Sequence, residues 1–311
     1  MKIAVIGAGG VGGYYGGLLA QQGEDVTFVA RGAHLEAIRD RGLQIKSIHG
    51  DVTIAPAKAT HSLCEIGLVD LVLFCVKTYD TEHSAQEIPS LLGSNALVLS
   101  LQNGIDAAQR IGKVVGMEHM IAGATWISST VESPGVIKQV SQFRRIVLGE
   151  LDGHITPRIQ AVYEAFQNTG ITVEITENIL KVIWTKFVFI SAASSLGSLT
   201  RLPLGEYRSV LETRSLMVGL MKEVEAVARG EGIALDPDVV EKSLEFIDGA
   251  APQIKASMQH DVDAGHRSEL DSMVGVIGRK GREAGIATPI TDMVYAALLP
   301  IDLKARITAR T

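Results

Sequence analysis

Cysteine is scarce, with only Cys64 and Cys75 among 311 residues. Two thiols cannot build the dense disulfide framework that staples small secreted domains, and this fits a reducing, cytoplasmic setting. A basic excess is missing too. The chain carries 35 acidic and 29 basic residues, a formal net charge of -6, and a pI near 5.8. Nucleic-acid binders usually carry a basic face, so no nucleic-acid partner is expected, although a local basic pocket for a phosphorylated cofactor stays open. No H-E-x-x-H pattern or Cys/His pairing occurs, so no metal site is expected. The opening apolar run reaches glycine at Gly7, too soon for a secretory signal or a membrane span. No membrane partner is expected.

What is present is the profile of a globular protein, 46% hydrophobic and 21% charged, long enough for two domains. The front half alternates short apolar runs with helical patterns. Strands are predicted at 3–6, 25–30, 71–76 and 96–101, with a helix over 11–22. Continuous apolar runs of strand length suit a parallel sheet covered by helices on both faces, and the alternation points to a doubly wound α/β domain. Residues 43–55 read as a hairpin excursion. Runs at 122–130, 136–140 and 146–151 suggest an antiparallel extension of the sheet, followed by a helix at 156–168 and a strand at 171–175. The back half reads as helical. Met217, Leu220, Met221 and Val224 fall at i, i+3, i+4, i+7, and Leu270, Met273, Val274 and Ile277 repeat that spacing. Pro237, Pro252, Pro289 and Pro300 are expected to punctuate these helices. The expected division is a Rossmann-type domain over 1–176 and an all-α domain over 177–311, packed firmly with a cleft between them.

Gly7-Ala8-Gly9-Gly10-Val11-Gly12 fits G-x-G-x-x-G directly after a predicted strand and at the start of a predicted helix. Gly7 suits the tight turn, Gly9 the close approach of a pyrophosphate, and Gly12 the packing of helix on sheet. The pyrophosphate of a dinucleotide would lie at the helix N-terminus, where free N–H groups and the helix dipole favour an anion. The second strand ends in Arg31, where an NAD site usually has an acid for the ribose 2′-hydroxyl. A guanidinium there can pair with a 2′-phosphate, which favours NADP. A solvated surface arginine is the plain alternative.

Two further strand ends carry polar residues, Lys77-Thr78 and Gln102-Asn103-Gly104. Ligands of open α/β sheets bind outside the carboxyl ends of the strands. If the runs are neighbours, Lys77 and Asn103 lie on the rim where a nicotinamide would sit. A surface lysine and an Asn-Gly turn are the alternatives. Lys186 stands inside Val182-Ile183-Trp184-Thr185-Lys186-Phe187-Val188-Phe189-Ile190, hemmed in by large apolar side chains. Desolvation lowers an ammonium's pKa and makes it a better proton donor near neutral pH. Ketone reduction needs such a donor. The competing reading has Lys186 reach its head out to solvent. Lys181 is a rival lysine in ordinary surroundings.

With these residues together, the chain resembles the ketopantoate reductase (2-dehydropantoate 2-reductase) family. The resemblance runs from the glycine motif through Cys75-Val76-Lys77-Thr78, Leu101-Gln102-Asn103-Gly104 and Trp184/Lys186 to Ala256-Ser257-Met258 and Arg267-Ser268-Glu269-Leu270-Asp271. It implies NADPH-dependent reduction of a small 2-oxo acid, with the active site in the interdomain cleft. Lys186 matches the family's general acid, and Glu269 the acidic partner that binds the reacting oxygen and orients the lysine. Asn103 and Lys77 match residues near the nicotinamide ribose and substrate, Arg31 the 2′-phosphate contact, and Ser257 a substrate contact.

The family often has asparagines four and eight residues after its lysine, where this chain has Ile190 and Ser194, and another three before the serine, where it has Ile254. Ser194 is thus carried over as a substrate-contacting position with a different side chain. Exchanging amides for isoleucine changes which substrate the site discriminates. Reduction of ketopantoate to pantoate, in pantothenate biosynthesis, is the expected activity. A related dehydrogenase for another branched or aromatic 2-oxo acid is the alternative, and a non-catalytic cofactor-binding sensor the alternative of another class. Arg201 is a candidate substitute for a carboxylate anchor, with a surface arginine the plainer reading. The apolar helices of the back half offer either a homodimer interface or only the domain's own core.

Overall fold

The computed structural model describes residues 1–308, which form two compact units divided between Ile179 and Leu180. The twelve strands are β1 Lys2–Ile6, β2 Asp25–Val29, β3 Leu43–Ser47, β4 Val52–Ile54, β5 Lys58–Thr60, β6 Val69–Phe74, β7 Leu92–Ser100, β8 Met120–Trp126, β9 Ser129–Ser133, β10 Val136–Gln139, β11 Arg145–Gly149 and β12 Thr172–Ile175. All lie in the first unit, with helices α1 Gly10–Gln21, α2 Gly32–Arg41, α3 Thr81–Ala85, α4 Ala107–Val115 and α5 Pro157–Gln167.

The main sheet has eight strands in the order β12-β11-β8-β7-β6-β1-β2-β5. From β8 to β5 the pairings are parallel, whereas β11 runs antiparallel to β8 and parallel to β12. The central strands explain themselves: Ile3, Val5, Leu71, Leu73, Leu97 and Leu99 are all buried, because helices cover both faces.

The expected antiparallel extension is therefore only partly correct. The run 122–130 is not one strand. It breaks at Ile127-Ser128, and β9 leaves the main sheet for a second, four-stranded one in the order β4-β3-β10-β9. There β10 pairs parallel to the predicted hairpin strand β3 and antiparallel to β9. This second sheet lies on α1, and the glycines of α1 divide between the two layers. A Cβ on Gly16 would stand 2.7 Å from Val5 of the main sheet, and one on Gly13 would stand 2.7 Å from Ile137 of the small sheet. A helix with so little side chain on two faces can be sandwiched closely between sheets.

The second unit continues α6 (Ile179–Thr200) and holds α7 Leu204–Tyr207, α8 Leu211–Gly230, α9 Val239–Gly249, α10 Ser257–Asp263, a wide π turn over Asp271–Gly275, α11 Val276–Ala284 and α12 Pro289–Thr308. Both predicted apolar quartets are buried. Helix α6 is long and apolar enough to cross a bilayer by length and composition, yet Trp184, Phe187, Val188, Ala192 and Leu196 are buried in the fold as a core stripe. Pro300 corrects an expectation: it ends no helix and lies inside α12, whereas Pro289 occupies the start of that helix, where a missing N–H costs nothing.

Candidate active site

In the first unit β7, β6, β1 and β2 are consecutive neighbours, so their carboxyl ends form one edge. The loops that follow are tied together. The Cys75 N–H donates to the Ile6 carbonyl at 2.8 Å, Leu101 N–H to Phe74 O at 3.1 Å, and Ala8 N–H to Val29 O at 3.1 Å. Gly7, Lys77 and Asn103 thus come from adjacent loops, and Arg31 follows the fourth strand. Strand β6 ends at Phe74, two residues earlier than the apolar run suggests, so Cys75-Val76 belong to this loop edge.

The glycine turn meets the requirements of a dinucleotide cradle. Gly7 has φ +94°, and a Cβ there would stand 2.8 Å from the Val76 nitrogen. A Cβ on Gly12 would meet the Gly7 carbonyl and Val5, so α1 can pack this close only through glycine. Gly9, by contrast, has open space where its Cβ would be. It precedes α1 without any side-chain cap, and no acid stands in the helix's first turn. Uncapped N–H donors at the end of a helix dipole, open to a ligand, fit a pyrophosphate. Arg31 is exposed and precedes α2 in extended conformation, with no carboxylate beside it in sequence. These residues fit a phosphorylated dinucleotide.

Sequence reasoning missed the supports of this edge. His34 Nδ1 accepts from the Gly135 N–H at 3.0 Å, so Nε2 carries the proton and donates to the Ala8 carbonyl at 2.8 Å. One imidazole thereby ties the glycine turn to the β9–β10 hairpin, whose Ser129 backbone also packs on Gly10. The Gln102 amide donates to Val76 O and Thr81 Oγ1, both at 2.9 Å, fixing the loop that carries Asn103 against the loop that carries Lys77. A lone His and a Gln carry no sequence signal for such long-range bonds.

In the second unit Lys186 is 9% exposed and Glu269 is 6% exposed. Burial pulls the Lys186 ammonium down from 10.5 to about 8, and the negative charge of Glu269 opposes that fall. The structure therefore brings these two predicted residues together in a desolvated setting and rules out a solvated head for Lys186. The rival Lys181 is paired with Asp236 at 2.6 Å. Arg201 is also engaged, donating to the Val262 carbonyl at 2.8 Å and lying 3.5 Å from Asp263.

Ile190 follows Lys186 by one helical turn and is half-buried, and Ser194, a further turn on, is buried with a hydroxyl lacking a hydrogen-bond partner. Phe189 packs on Phe246 of α9 with ring centroids 4.6 Å apart and planes tilted by 45°, and Phe246 is 39% exposed. Ser257 begins α10, exposed, three residues after the exposed Ile254. Helix α10 lies against α6 where Gln259 abuts Gly197.

Two family descriptions match the chain: ketopantoate reductase PanE/ApbA over residues 3–153, and its C-terminal counterpart over 178–302. The chain belongs to the ketopantoate reductase family. An uncharacterized oxidoreductase of Bacillus subtilis is 32% identical over 96% of this chain and 98% of its own. The crystal structure of a PanE/ApbA family ketopantoate reductase from Ralstonia eutropha superposes with a TM-score of 0.91 at 31% identity, covering 98% of this chain and all of the other. A D-mandelate dehydrogenase with NADH and anilino(oxo)acetate superposes with a TM-score of 0.89 at 26% identity, covering 98% and 99% of the two chains. The protein is thus an oxidoreductase of the ketopantoate reductase family, with the α/β and helical organisation expected from the sequence. Nicotinamide cofactors and small 2-oxo acid substrates are the chemistry of this family.

Proposed function

We propose that this protein reduces a 2-oxo acid to the 2-hydroxy acid with NADPH, and that its substrate is 2-dehydropantoate, as in pantothenate biosynthesis in the cytoplasm. The reading rests on one observation above the others: a buried lysine whose pKa falls to about 8, opposed by a buried carboxylate. In this reading residues 1–176 hold the cofactor and 177–311 supply the catalytic groups. Gly7, Gly9, Gly10, Val11 and Gly12 cradle the pyrophosphate, Arg31 pairs with the 2′-phosphate, and Lys77 and Asn103 hold the nicotinamide ribose side, Asn103 also reaching the substrate. The bound cofactor supplies a hydride. Lys186 donates a proton to the carbonyl oxygen as negative charge develops there, and remains as the neutral amine until solvent reprotonates it. Glu269 holds the ammonium in place and keeps it charged, while Ser257 and Ser194 contact the substrate.

The test is NADPH oxidation with ketopantoate. Lys186→Ala should lower kcat by roughly 10²–10⁴-fold, with NADPH affinity kept. No turnover of ketopantoate by folded, NADPH-binding protein overturns the reading.

A second reading has a specific observation behind it. Phe189, Phe246, Ile190 and Ile254 give the second unit apolar, partly exposed surface on and near the helix that carries Lys186, and the D-mandelate dehydrogenase likeness is of the same fold. An aromatic or branched 2-oxo acid would suit such a surface better than a hydroxylated one. A panel of 2-oxo acids compared by kcat/KM, with NADPH and NADH each, decides between them. Under the second reading Ile190→Asn combined with Ile254→Asn raises the preference for ketopantoate by roughly 10–100-fold. If ketopantoate outcompetes the panel in the unaltered protein, the second reading fails.

A further inference from the structure

Glu269 lies on a short connection between α10 and the π turn, a segment with little helical framework of its own. Its neighbours on both sides are held from α12. On one side, the Ser268 N–H and the Ser268 hydroxyl both donate to Asp302 Oδ1 at 2.8 Å. On the other, Asp271 accepts from Arg306 at 2.7 Å and from the Tyr295 hydroxyl at 2.7 Å. Arg306 joins the two grips, because its Nε also donates to Asp302 Oδ2 at 2.6 Å. Tyr295, Asp302 and Arg306 recur at seven and four residues, which puts them on one face of the helix. Helix α12 is itself anchored: Glu223 of α8 accepts from the Ile290 and Thr291 N–H groups at its first turn, 2.8 Å each.

A buried carboxylate is costly unless its acceptor sites are filled. Asp302 is 2% exposed and spends both oxygens on this arrangement. The wide turn over Asp271–Gly275 is a second mark, since π turns are rare and frequent at functional sites. It lets the chain change from the Glu269 connection to α11 while Asp271 still faces Arg306.

We propose that Asp302, with Arg306, is a positioning residue for the reaction: it clamps both flanks of Glu269 so that this carboxylate stays against Lys186. The inference rests on the assignment of Lys186 and Glu269 under the proposed function. The charged and titratable groups around the turn are Asp271 on its own segment, Arg279 on α11, and Tyr295, Asp302 and Arg306 on α12.

The experiment is a double-mutant cycle on the full chain with the best 2-oxo acid substrate. Glu269→Gln should lower kcat and move the basic limb of the kcat–pH profile to lower pH, because a negative charge beside Lys186 is lost. Asp302→Ala should lower kcat by roughly 10–100-fold and move the limb the same way, with NADPH affinity unchanged. In the Glu269→Gln background it should do neither, because both changes remove the same interaction. Ser268→Ala, which deletes one hydroxyl, and Arg306→Lys should give smaller shifts in the same direction, and they carry the test if Asp302→Ala does not fold. Additive losses in kcat with an unmoved limb overturn the proposal and leave α12 a structural prop. A Glu269→Gln protein with an unaltered limb overturns the proposed role of Glu269 first, and this inference with it.

Discussion

A lysine in the middle of an apolar stripe works against stability, and Lys186 shows in which pH range. Below about pH 8 it is protonated in the folded and the unfolded chain, so the cost of desolvating the ammonium is fully present. Between about 8 and its ordinary 10.5 the unfolded chain binds more protons than the folded one, so stability rises with pH across that window. The gain, measured as the difference between wild type and Lys186→Met in denaturant titrations, should reach about 3 kcal/mol by the top of the window. A flat difference from pH 7 to 10.5 would mean that Lys186 titrates normally. Activity runs the other way. Ketone reduction needs the ammonium, so kcat should hold level below about pH 8 and fall above it. One residue then lowers stability where it raises activity, as expected of a group tuned for proton transfer.

At the scale of elements, the turn from β1 into α1 separates two uses of glycine. Gly9 has open space at its Cβ position, whereas Gly10 abuts the Ser129 backbone. Gly10→Ala should therefore destabilise the protein by about 1–3 kcal/mol, read as a lower midpoint of thermal unfolding. Gly9→Ala should leave that midpoint nearly unchanged and weaken NADPH binding by crowding the phosphates. Equal effects on folding from both would contradict the cradle. The turn was legible in the sequence because its chemistry is local: a strand, a glycine pattern and a helix within a dozen residues. The adjacency of Lys77 and Asn103 followed from apolar runs that mark parallel strands. The second sheet was not legible, because nothing in 122–130 marks the break at Ile127-Ser128, and the pairing of β10 with β3 joins segments far apart in sequence. Pro300 misled for a different reason. Proline disfavours a helix interior locally, but buried Leu298, Asp302 and Ala305 hold α12 in register around it. The setting of Glu269 was not legible either: it is buried, and the α12 clamp on its neighbour Ser268 joins residues 34 apart and leaves no pattern near Glu269 itself.

For the whole molecule, the distribution of core residues governs how the chain should unfold. The cluster built on Ile3, Phe28, Leu73, Leu99, Ile121 and Phe166 draws only on the first unit. The second unit has its own buried set, including Trp184, Met217, Leu220, Val274 and Leu298. Chains with two such cores need not unfold in one step. The glycine turn, Arg31, Lys77 and Asn103 all belong to the first unit, so a dinucleotide should stabilise that unit. At a concentration 100 times its Kd the ligand adds about 2.7 kcal/mol. Calorimetry of the full chain should therefore show NADPH raising the transition that reports loss of the β-sheet signal, with NADH raising it less because Arg31 has no 2′-phosphate to hold. Arg31→Ala should bring the two cofactors to similar shifts. If NADH protects as well as NADPH in the unaltered chain, Arg31 is a surface residue and the cofactor preference is set elsewhere on the sheet edge.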